Sequence, residues 1–432
     1  MKILVIGSGG REHALAWKIK QSPIVREIYC VPGNAGIAAL AEIVPISAND
    51  IDGILEFAKK KSIDLTVVGP EQPLTDGIVD LFEAHGLKIF GPSKLAAELE
   101  GSKVFAKQFM QKYSIPTAEF RSFSAAERFD AERYVNEIPV PIVIKADGLA
   151  AGKGVSICDT KEQALEALDL MFAKKIFGDA GSNIVIEEFL AGEEASVFAL
   201  TDGKEFVVLS SAQDHKRILD GDKGKNTGGM GAYAPAPIVT EEILQKVKRD
   251  IIRQTLLGMA KEGRPYKGCL YIGLMITETG PKVVEFNCRF GDPETQVVLP
   301  LLDDDLVRIM LEVAGGKLST TKAILKDASS VCVVIASGGY PDSYETDKQI
   351  FGLEAVTDEE VVVFHSGTKY NKDQIVTSGG RVLGVTAIGR RHDLENIIDK
   401  TYRAVEKITF DGAYYRSDIG KRGVEYLKHY RR

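Results

Sequence analysis

The first hundred residues alternate short apolar runs with segments of helical spacing. The apolar runs cover residues 2–6, 28–31, 65–68 and 88–90, and helical spacing is found in residues 11–19 and 51–61. Strands that alternate with helices in this way build a parallel sheet with helices on both faces. The pattern therefore predicts an N-terminal α/β domain with a doubly wound parallel sheet.

The middle of the chain departs from this alternation because its apolar runs come in pairs. Apolar runs cover residues 141–144 and 184–190, helical spacing covers residues 241–261, and two candidate hairpins join residues 194–200 to 205–210 and 270–277 to 282–287. We expect residues 102–325 to form a central domain.

The last hundred residues contain three apolar runs and one helical segment. Residues 331–336, 361–364 and 381–387 predict strands, and residues 394–408 predict a closing helix. We therefore expect a small mixed α/β domain at residues 326–432, with no dense polar motif of its own. The N-terminal domain is then expected to cover residues 1–101, which gives a multidomain chain.

The overall composition is that of a globular protein with an acidic balance. The chain has 432 residues, 44% of them hydrophobic, and a formal net charge of -7. This balance argues against a nucleic-acid partner that is bound through a broad basic face. The five cysteines are scattered singly, the chain opens with a strand rather than a signal peptide, and no run of 18 apolar residues occurs. We expect reduced thiols, a cytoplasmic location and no membrane partner.

Residues 282–294 carry the densest set of chemical groups. In a strand of period two, Val284, Phe286 and Cys288 are expected to face the core. The polar residues that alternate with them are Glu285, Asn287 and Arg289. Oxygen ligands of this kind suit Mg2+, and a guanidinium beside them suits a carboxylate or a phosphate. We interpret this face as a metal and substrate site, with a merely solvated strand face as the alternative.

A glycine-rich turn lies between the first strand and the first helix. Gly7, Gly9 and Gly10 leave room for an anion to approach backbone N-H groups, and the helix dipole favours phosphate there. The third glycine of the dinucleotide fingerprint is absent, so a single phosphate is favoured over a nucleotide cofactor. A plain structural turn is equally compatible with this loop alone.

Two further polar turns, at Asn34 and Glu71, follow later strands of the same predicted sheet. The carboxyl ends of neighbouring parallel strands face one crevice, so we expect both residues to lie near the glycine turn. Glu71 would accept hydrogen bonds from sugar hydroxyls. A solvated loop acid is the alternative interpretation.

Lys145 ends an apolar run and is followed by the loop at residues 146–155, which contains Lys153. Small residues allow such a loop to close over a polyphosphate, whose charge the two lysines would neutralise. The loop does not match the Walker sequence. An exposed flexible hairpin is the alternative.

Two more segments complete the pattern. The strand that contains Glu187 and Glu188 runs into a glycine hinge, where backbone groups can pair with an adenine edge and a following acid can reach ribose hydroxyls. An acidic strand end without function is the alternative. Residues 221–233 are rich in glycine and charge, and we expect a mobile loop that clamps a substrate.

Taken together, these motifs resemble the ATP-grasp superfamily and, within it, the phosphoribosylamine-glycine ligase (glycinamide ribonucleotide synthetase) family. The resemblance runs from end to end. The segments that carry it are residues 7–14, 32–36, 69–71, 145–154, 226–232 and 285–294. Any one of them could arise by chance, but all six in this order are hard to explain otherwise.

The resemblance implies an ATP-dependent enzyme of purine synthesis that joins glycine to 5-phosphoribosylamine. ATP would lie between two α+β subdomains of a central ATP-grasp fold, one of them a mobile lid subdomain at about residues 115–190. Its ligands would be Lys103, Lys145, Lys153, Glu187, Glu188, Phe189, Leu190 and Glu194. Mg2+ or Mn2+ would bind to Glu285 and Asn287. The phosphoribosyl group would be bound by Gly9, Gly10, Asn34 and Glu71, and glycine by Asp214, Arg289 and Asp292. Arg289 and Lys145 are the expected catalytic residues.

No side-chain nucleophile is needed for such a reaction. The carboxylate of glycine would attack the γ-phosphorus, and the amine would then displace phosphate from the resulting glycyl phosphate. Two alternatives stay open: a related ATP-grasp carboxylase or formate-using transformylase with a different substrate pocket, and a nucleotide-binding sensor without turnover. We expect small molecules as the only partners and a monomeric protein.

Overall fold

The structure is a computed structural model that describes residues 1–148, 154–174, 178–391 and 393–430. Its N-terminal part contains strands β1 (Lys2–Gly7), β2 (Glu27–Pro32), β3 (Glu42–Ile43), β4 (Leu65–Val68) and β5 (Ile89–Phe90), with helices α1 (Gly10–Lys20), α2 (Ile51–Lys61), α3 (Glu71–Asp76), α4 (Ile78–Ala84) and α5 (Lys94–Gly101). The five strands form one parallel sheet in the order β3-β2-β1-β4-β5. The predicted doubly wound parallel sheet is therefore confirmed.

Local sequence explains where these helices begin and end. The side chain of Asp50 caps α2 by accepting a hydrogen bond from the N-H of Gly53 at 3.0 Å. Ser62 adopts the left-handed conformation just after the last residue, and α2 has the bounds that its helical spacing predicts. In the sheet, β1 lies between β2 and β4, which accounts for its continuous apolar run.

The central part of the chain contains two antiparallel sheets. Its helices are α6 (Lys103–Lys112), α7 (Arg128–Glu137), α8 (Lys161–Leu168), α9 (Glu241–Lys246), α10 (Arg253–Lys261), α11 (Thr295–Val298) and α12 (Leu306–Ala314). Its strands are β6 (Phe120–Ser124), β7 (Ile142–Ala146), β8 (Val155–Cys158), β9 (Asn183–Glu188), β10 (Glu193–Thr201), β11 (Phe206–Val208), β12 (Gln213–Asp214), β13 (Arg217–Leu219), β14 (Lys223–Asn226), β15 (Gly231–Ala234), β16 (Gly268–Thr277) and β17 (Gly280–Asn287). One sheet has the order β6-β9-β7-β8 and the other β11-β10-β16-β17.

The sheet β6-β9-β7-β8 has a hydrophobic core of its own, in which alternate strand residues pack against α7 and α8. These residues include Phe123, Ile142, Ile144, Ile184 and Ile186. The residues between them, among them Lys145 and Glu187, consequently point to the opposite face. That face is turned toward β17, because Lys145 donates a hydrogen bond to a carbonyl of β17.

The C-terminal sheet extends beyond the predicted boundary at residue 326. The last elements are β18 (Ala328–Ser337), β19 (Val361–His365), β20 (Thr368–Asn371), β21 (Gln374–Thr377), β22 (Arg381–Arg390), α13 (Leu394–Val405), β23 (Ala413–Tyr414) and α14 (Lys421–Tyr430). The sheet has the order β12-β15-β18-β22-β19, so two of its strands come from the central segment. Among the described residues, no helix is long and apolar enough to cross a membrane.

Candidate active site between the two antiparallel sheets

Strand β17 presents the predicted polar face, with one shift of register. A β-bulge opposite Gly273 and Leu274 leaves Val284 without a regular partner, and Val283 rather than Val284 is fully buried in the core. Phe286 and Cys288 face the core as predicted. Because a bulged residue loses its ladder pairing, the carbonyl of Val284 is free to accept a hydrogen bond from Lys145 at 3.1 Å.

The carboxylate of Glu285 lies in a positive environment. Burial alone would raise its pKa, but the ammonium groups of Lys216, Lys103 and Lys145 outweigh burial and lower that pKa. Glu285 is therefore ionised at neutral pH. An ionised carboxylate and the amide of Asn287, which is 9% exposed, are the oxygen donors that a divalent cation needs. Among the described residues, no group of three or more His, Cys, Asp or Glu that could hold a metal ion is found.

Lys145 and a second buried lysine share one carboxylate. The Nζ of Lys145 lies 3.0 Å and the Nζ of Lys107 3.1 Å from Oε2 of Glu187. All three side chains are at most 7% exposed. The other oxygen of Glu187, Oε1, is buried and has no hydrogen-bond partner. Lys107 was not predicted as a site residue, because a lysine inside an amphipathic helix normally faces solvent.

The start of α6 is fastened to the end of β7. The carboxylate of Asp147 accepts from the N-H of Val104 at 2.8 Å and from the hydroxyl of Ser102 at 2.9 Å. Its backbone carbonyl accepts from the N-H of Lys103 at 3.1 Å. These bonds place Lys103, a predicted phosphate ligand, beside the loop after Lys145. The predicted ligand Lys153 lies outside the described residues.

The remaining predicted nucleotide residues lie at the end of β9, in the connection that follows and at the start of β10. Glu188 is bonded to Lys282 at 2.9 Å, so its carboxylate is already engaged in an ion pair. Phe189 is 42% exposed, and Leu190 follows it in the connection. The carboxylate of Glu194 lies 2.6 Å from Lys216.

Asp214 lies in a cluster of carboxylates. Burial raises its pKa to about 7, and Glu294, Glu194 and Glu285 reinforce the shift against the effect of Lys216. Glu294, which sequence analysis missed, accepts a hydrogen bond from the hydroxyl of Tyr271 at 2.8 Å. Such a cluster favours a cation, for example an ammonium group, over an anion.

Arg289 is held by two carboxylates from different elements. Its Nε lies 3.3 Å from Glu71, and its Nη2 lies 2.9 Å from Glu100. Glu100 also accepts from the N-H of Cys288 at 2.7 Å and from its thiol at 2.9 Å. Glu71, predicted to bind a sugar, is thus an anchor for Arg289, and Glu100 is a second anchor that the sequence did not reveal.

A cavity between the N-terminal and C-terminal domains

Protein carboxylates already occupy the start of helix α1, where phosphate was expected. The N-H of Gly9 donates to Oε2 of Glu12 at 2.6 Å, and the N-H of Arg11 donates to Asp292 at 3.4 Å. Gly10 has no room for a side chain, since a Cβ there would lie 2.5 Å from Nε2 of Gln296. The expectation that Gly9 binds phosphate through its N-H is not supported by this geometry.

The amide hydrogens of Asn34 are also engaged in hydrogen bonds within the protein. Its Nδ2 donates to the carbonyls of Ser8 and His365, each at 2.8 Å, and its Oδ1 accepts from the N-H of Ile37 at 2.9 Å. The predicted ligand therefore joins two domains rather than offering free donors. His365 is 331 residues away in sequence, which is why this role could not be read from the local motif.

Two neutral histidines extend the junction made by Asn34. The N-H of His365 donates to Nδ1 of His13 at 2.8 Å, and the ring of His365 contacts the hydroxyl of Thr368 at 3.0 Å. Burial lowers the pKa of His13 to about 3 and that of His365 to about 4. Both rings are therefore uncharged at neutral pH.

Above this junction lies a cavity of about 420 Å³, which the N-terminal turns share with the C-terminal loops. Its lining residues are Ser8, Gly9, Gly33, Asn34, Asp292, Ser366, Gly367, Thr368, Lys369, Ser378, Gly379 and Arg381. Arg381 and Lys369 supply the cationic groups of this lining. The expectation that the C-terminal domain lacks a dense polar motif is wrong, because its polar residues form much of this lining. Asp292, which was predicted to bind glycine together with Asp214, lines the cavity with Gly9 and Asn34 instead.

Residues 221–233, which were expected to form a mobile loop, contain strand β14 and most of strand β15. The mobility of the segment stays a prediction. Strands β13 and β14 pair as a hairpin, and the fully buried Arg416 donates to Asp222 and to the carbonyl of Arg217, each at 2.9 Å. Farther along the same segment, Arg381 donates to the carbonyl of Gly228 at 2.5 Å. The hairpin is thus attached to the C-terminal domain.

Family models for phosphoribosylglycinamide synthetase match three consecutive parts of the chain. The N domain matches residues 1–100, the ATP-grasp (A) domain residues 101–295, and the C domain residues 330–422. The chain belongs to the phosphoribosylglycinamide synthetase family. The predicted family resemblance is confirmed.

Relatives of the full length support this membership. The phosphoribosylamine-glycine ligases of Chlorobaculum tepidum and Salmonella typhi are each 51% identical over 429 residues, which covers 98% of this chain and 100% and 99% of theirs. The crystal structure of the Thermotoga maritima ligase superposes with a TM-score of 0.83 at 36% identity, covering 97% of this chain and 100% of that one. A biotin carboxylase domain from Hydrogenobacter thermophilus, at 18% identity and a TM-score of 0.73, shares the fold; the alignment covers 96% of this chain and 91% of that one.

Proposed function

We propose that this chain is the ATP-dependent ligase that joins glycine to 5-phosphoribosylamine in de novo purine synthesis. The products are glycinamide ribonucleotide, ADP and phosphate, and the reaction passes through glycyl phosphate. The observation that carries this proposal is the full-length match to ligases of this activity, in a chain that brings Lys103 and Lys145 close to the carboxylate of Glu285.

ATP would lie between the sheets that contain β7 and β17. Lys103 and Lys145 would approach its phosphates, and residues 187–190 would border its base. Mg2+ or Mn2+ at Glu285 and Asn287 would offset charge on the phosphates. The lid, predicted at about residues 115–190, would close over the nucleotide and keep water from the glycyl phosphate.

The two other substrates would occupy the sites on either side of Arg289. The carboxylates around Asp214 suit the ammonium group of glycine, and Arg289 suits its carboxylate. The cavity between the domains suits phosphoribosylamine, because Arg381 and Lys369 would bind its phosphate while Asp292 accepts from its hydroxyls.

The chemistry then requires two displacements. An oxygen of the glycine carboxylate attacks the γ-phosphorus, and the bond from phosphorus to the ADP oxygen breaks. The amine of phosphoribosylamine attacks the carbonyl carbon of glycyl phosphate, loses a proton and expels phosphate. Lys145 and Arg289 would stabilise the negative charge that develops in these steps.

We further propose that the enzyme acts in the cytoplasm as a monomer with small-molecule partners only. The domain limits 1–101, 102–325 and 326–432 are part of this proposal, and the sheet that pairs β15 with β18 would couple the second domain to the third.

A coupled assay of ADP release tests the proposed substrates. The purified protein is incubated with ATP, Mg2+ and freshly generated phosphoribosylamine, together with glycine, bicarbonate or formate. We expect ADP release and glycinamide ribonucleotide only with glycine. Turnover with bicarbonate or formate instead would identify a carboxylase or a transformylase and overturn the proposal.

A further inference from the structure

Lys107 is buried without any place in the reaction described above. It is 3% exposed and lies one turn after Lys103 on helix α6. Its ammonium group contacts Oε2 of Glu187 at 3.1 Å, donates to the hydroxyl of Thr117 at 2.7 Å and lies 5.8 Å from the ring centre of Phe120. Burying an ammonium group costs free energy unless the group is paired with an opposite charge and hydrogen-bonded.

These contacts connect several elements around the nucleotide cleft. Thr117, which accepts from Lys107, donates to the carbonyl of Val283 on β17 at 2.7 Å. Glu187 belongs to β9 and also binds Lys145 of β7. Lys107 therefore fixes Glu187 relative to both sheets that would enclose ATP.

The carboxylate of Glu187 is held at one oxygen only. Both lysines bind Oε2, whereas Oε1 is buried and has no partner among the described residues. An unpaired carboxylate oxygen costs free energy unless a ligand or water donates to it. The side chain of Glu187 lies on the face of the sheet β6-β9-β7-β8 that is opposite its hydrophobic core. Glu187 is also near the end of β9, just before the connection to β10, where a nucleotide base would lie.

We propose that Lys107 is a positioning residue for base selection: it aims Oε1 of Glu187 to accept a hydrogen bond from the 6-amino group of the purine. This inference rests on the proposed binding of ATP. A 6-oxo purine has a carbonyl oxygen in place of the 6-amino group. That oxygen cannot donate to Oε1 of Glu187 and would repel it. Burial lowers the pKa of Lys107 to about 8, an effect that Glu187 opposes and Lys145 reinforces, which agrees with two lysines sharing one carboxylate.

Binding of two nucleotides to Lys107→Met tests this role. Dissociation constants for ATP and for inosine triphosphate are measured by calorimetry with Mg2+ and without the other substrates. We expect the wild type to prefer ATP by about tenfold or more, and the variant to lose about tenfold in ATP affinity while inosine triphosphate binding changes less than about twofold. Lys112→Met, at the exposed end of the same helix, is the matched control and should bind both nucleotides as the wild type does.

The outcomes separate the inference from the proposed function. Equal losses for both nucleotides, or an unchanged preference, would overturn the positioning role. A wild type that binds neither nucleotide would overturn the proposed function itself. If Lys107→Met does not fold, Lys107→Gln is measured instead. Its side chain is shorter and uncharged, so we expect a smaller loss of ATP preference in the same direction, and an unchanged preference would overturn the positioning role.

Discussion

Arg289 is a cation held between two carboxylates from different elements. Its guanidinium is 18% exposed and bonded to both Glu71 and Glu100. Burial would lower the pKa of Arg289, but Glu100 and Glu71 raise it above its ordinary value. The orientation of Arg289 is therefore set by these two acids before any substrate arrives.

Substituting Glu100 by Gln should remove the ion pair between Glu100 and the guanidinium of Arg289. The change leaves a buried guanidinium with one carboxylate partner, so we expect the free energy of unfolding to fall by about 2 to 4 kcal/mol. The KM for glycine should rise more than the KM for ATP. Urea unfolding and steady-state kinetics measure both effects.

Glu98→Gln is the matched control on the same helix. Glu98 forms an ion pair with Arg264, but its side chain is 46% exposed, so its loss should cost less than about 1 kcal/mol. If both variants behave alike, Glu100 does not position Arg289.

The residues that were predicted from the sequence and those that were not differ in the origin of their contacts. Glu285 and Asn287 were predicted to share one face because they alternate within one strand, and both lie on β17. Glu100, Lys107 and Arg381 were missed because their partners come from segments far away in the chain. Local patterns carry no information about such contacts.

At the scale of elements, the bulge in β17 could not be predicted from alternation. The extra residue, Val284, moves Val283 into the core and frees a carbonyl for Lys145. Several strands and helices lie close to their predicted positions; the segment 361–364, for example, is β19 at Val361–His365. The strands β14 and β15 and the final helix α14 were not predicted.

The hairpin β13-β14 gives a test at the same scale. Replacing the fully buried Arg416 by Met removes its hydrogen bonds to Asp222 and Asp418, and we expect a loss of about 2 kcal/mol or more in stability. Limited proteolysis should then cut within residues 217–226 faster than in the wild type.

Lys225→Ala provides the comparison for the hairpin. Lys225 pairs with Asp342, and both side chains are more than half exposed, so stability and cleavage should stay close to the wild type. Equal cleavage of the Arg416 variant and the wild type would show that the hairpin is attached by other contacts.

For the whole molecule, buried histidines predict loss of stability in mild acid. His13 and His215 have pKa values lowered to about 3, and His365 to about 4, mainly by burial. Because unfolding returns each ring to a pKa near 6.5, the unfolded chain binds more protons below that pH, and stability falls as pH drops from about 6.5 toward 4. Asp214 opposes this trend, because its pKa is raised to about 7 and the folded chain therefore binds about one proton there that the unfolded chain does not.

The net difference is about two protons, so the free energy of unfolding should fall by about 4 kcal/mol from pH 7 to pH 5. Urea titrations at both values measure it. In His13→Asn, which retains an acceptor for the N-H of His365, the pH slope should decrease by about one proton. His85→Gln, at an exposed position, should leave the slope unchanged, and an unchanged slope in His13→Asn would contradict the assignment.

The most direct test of the central claim follows an oxygen atom. Glycine labelled with oxygen-18 in its carboxylate is supplied with ATP and freshly generated phosphoribosylamine, and the released phosphate is examined by mass spectrometry. Attack of the carboxylate on the γ-phosphorus predicts one labelled oxygen in each phosphate formed. Product formation with unlabelled phosphate would contradict a glycyl phosphate intermediate and the mechanism built on it.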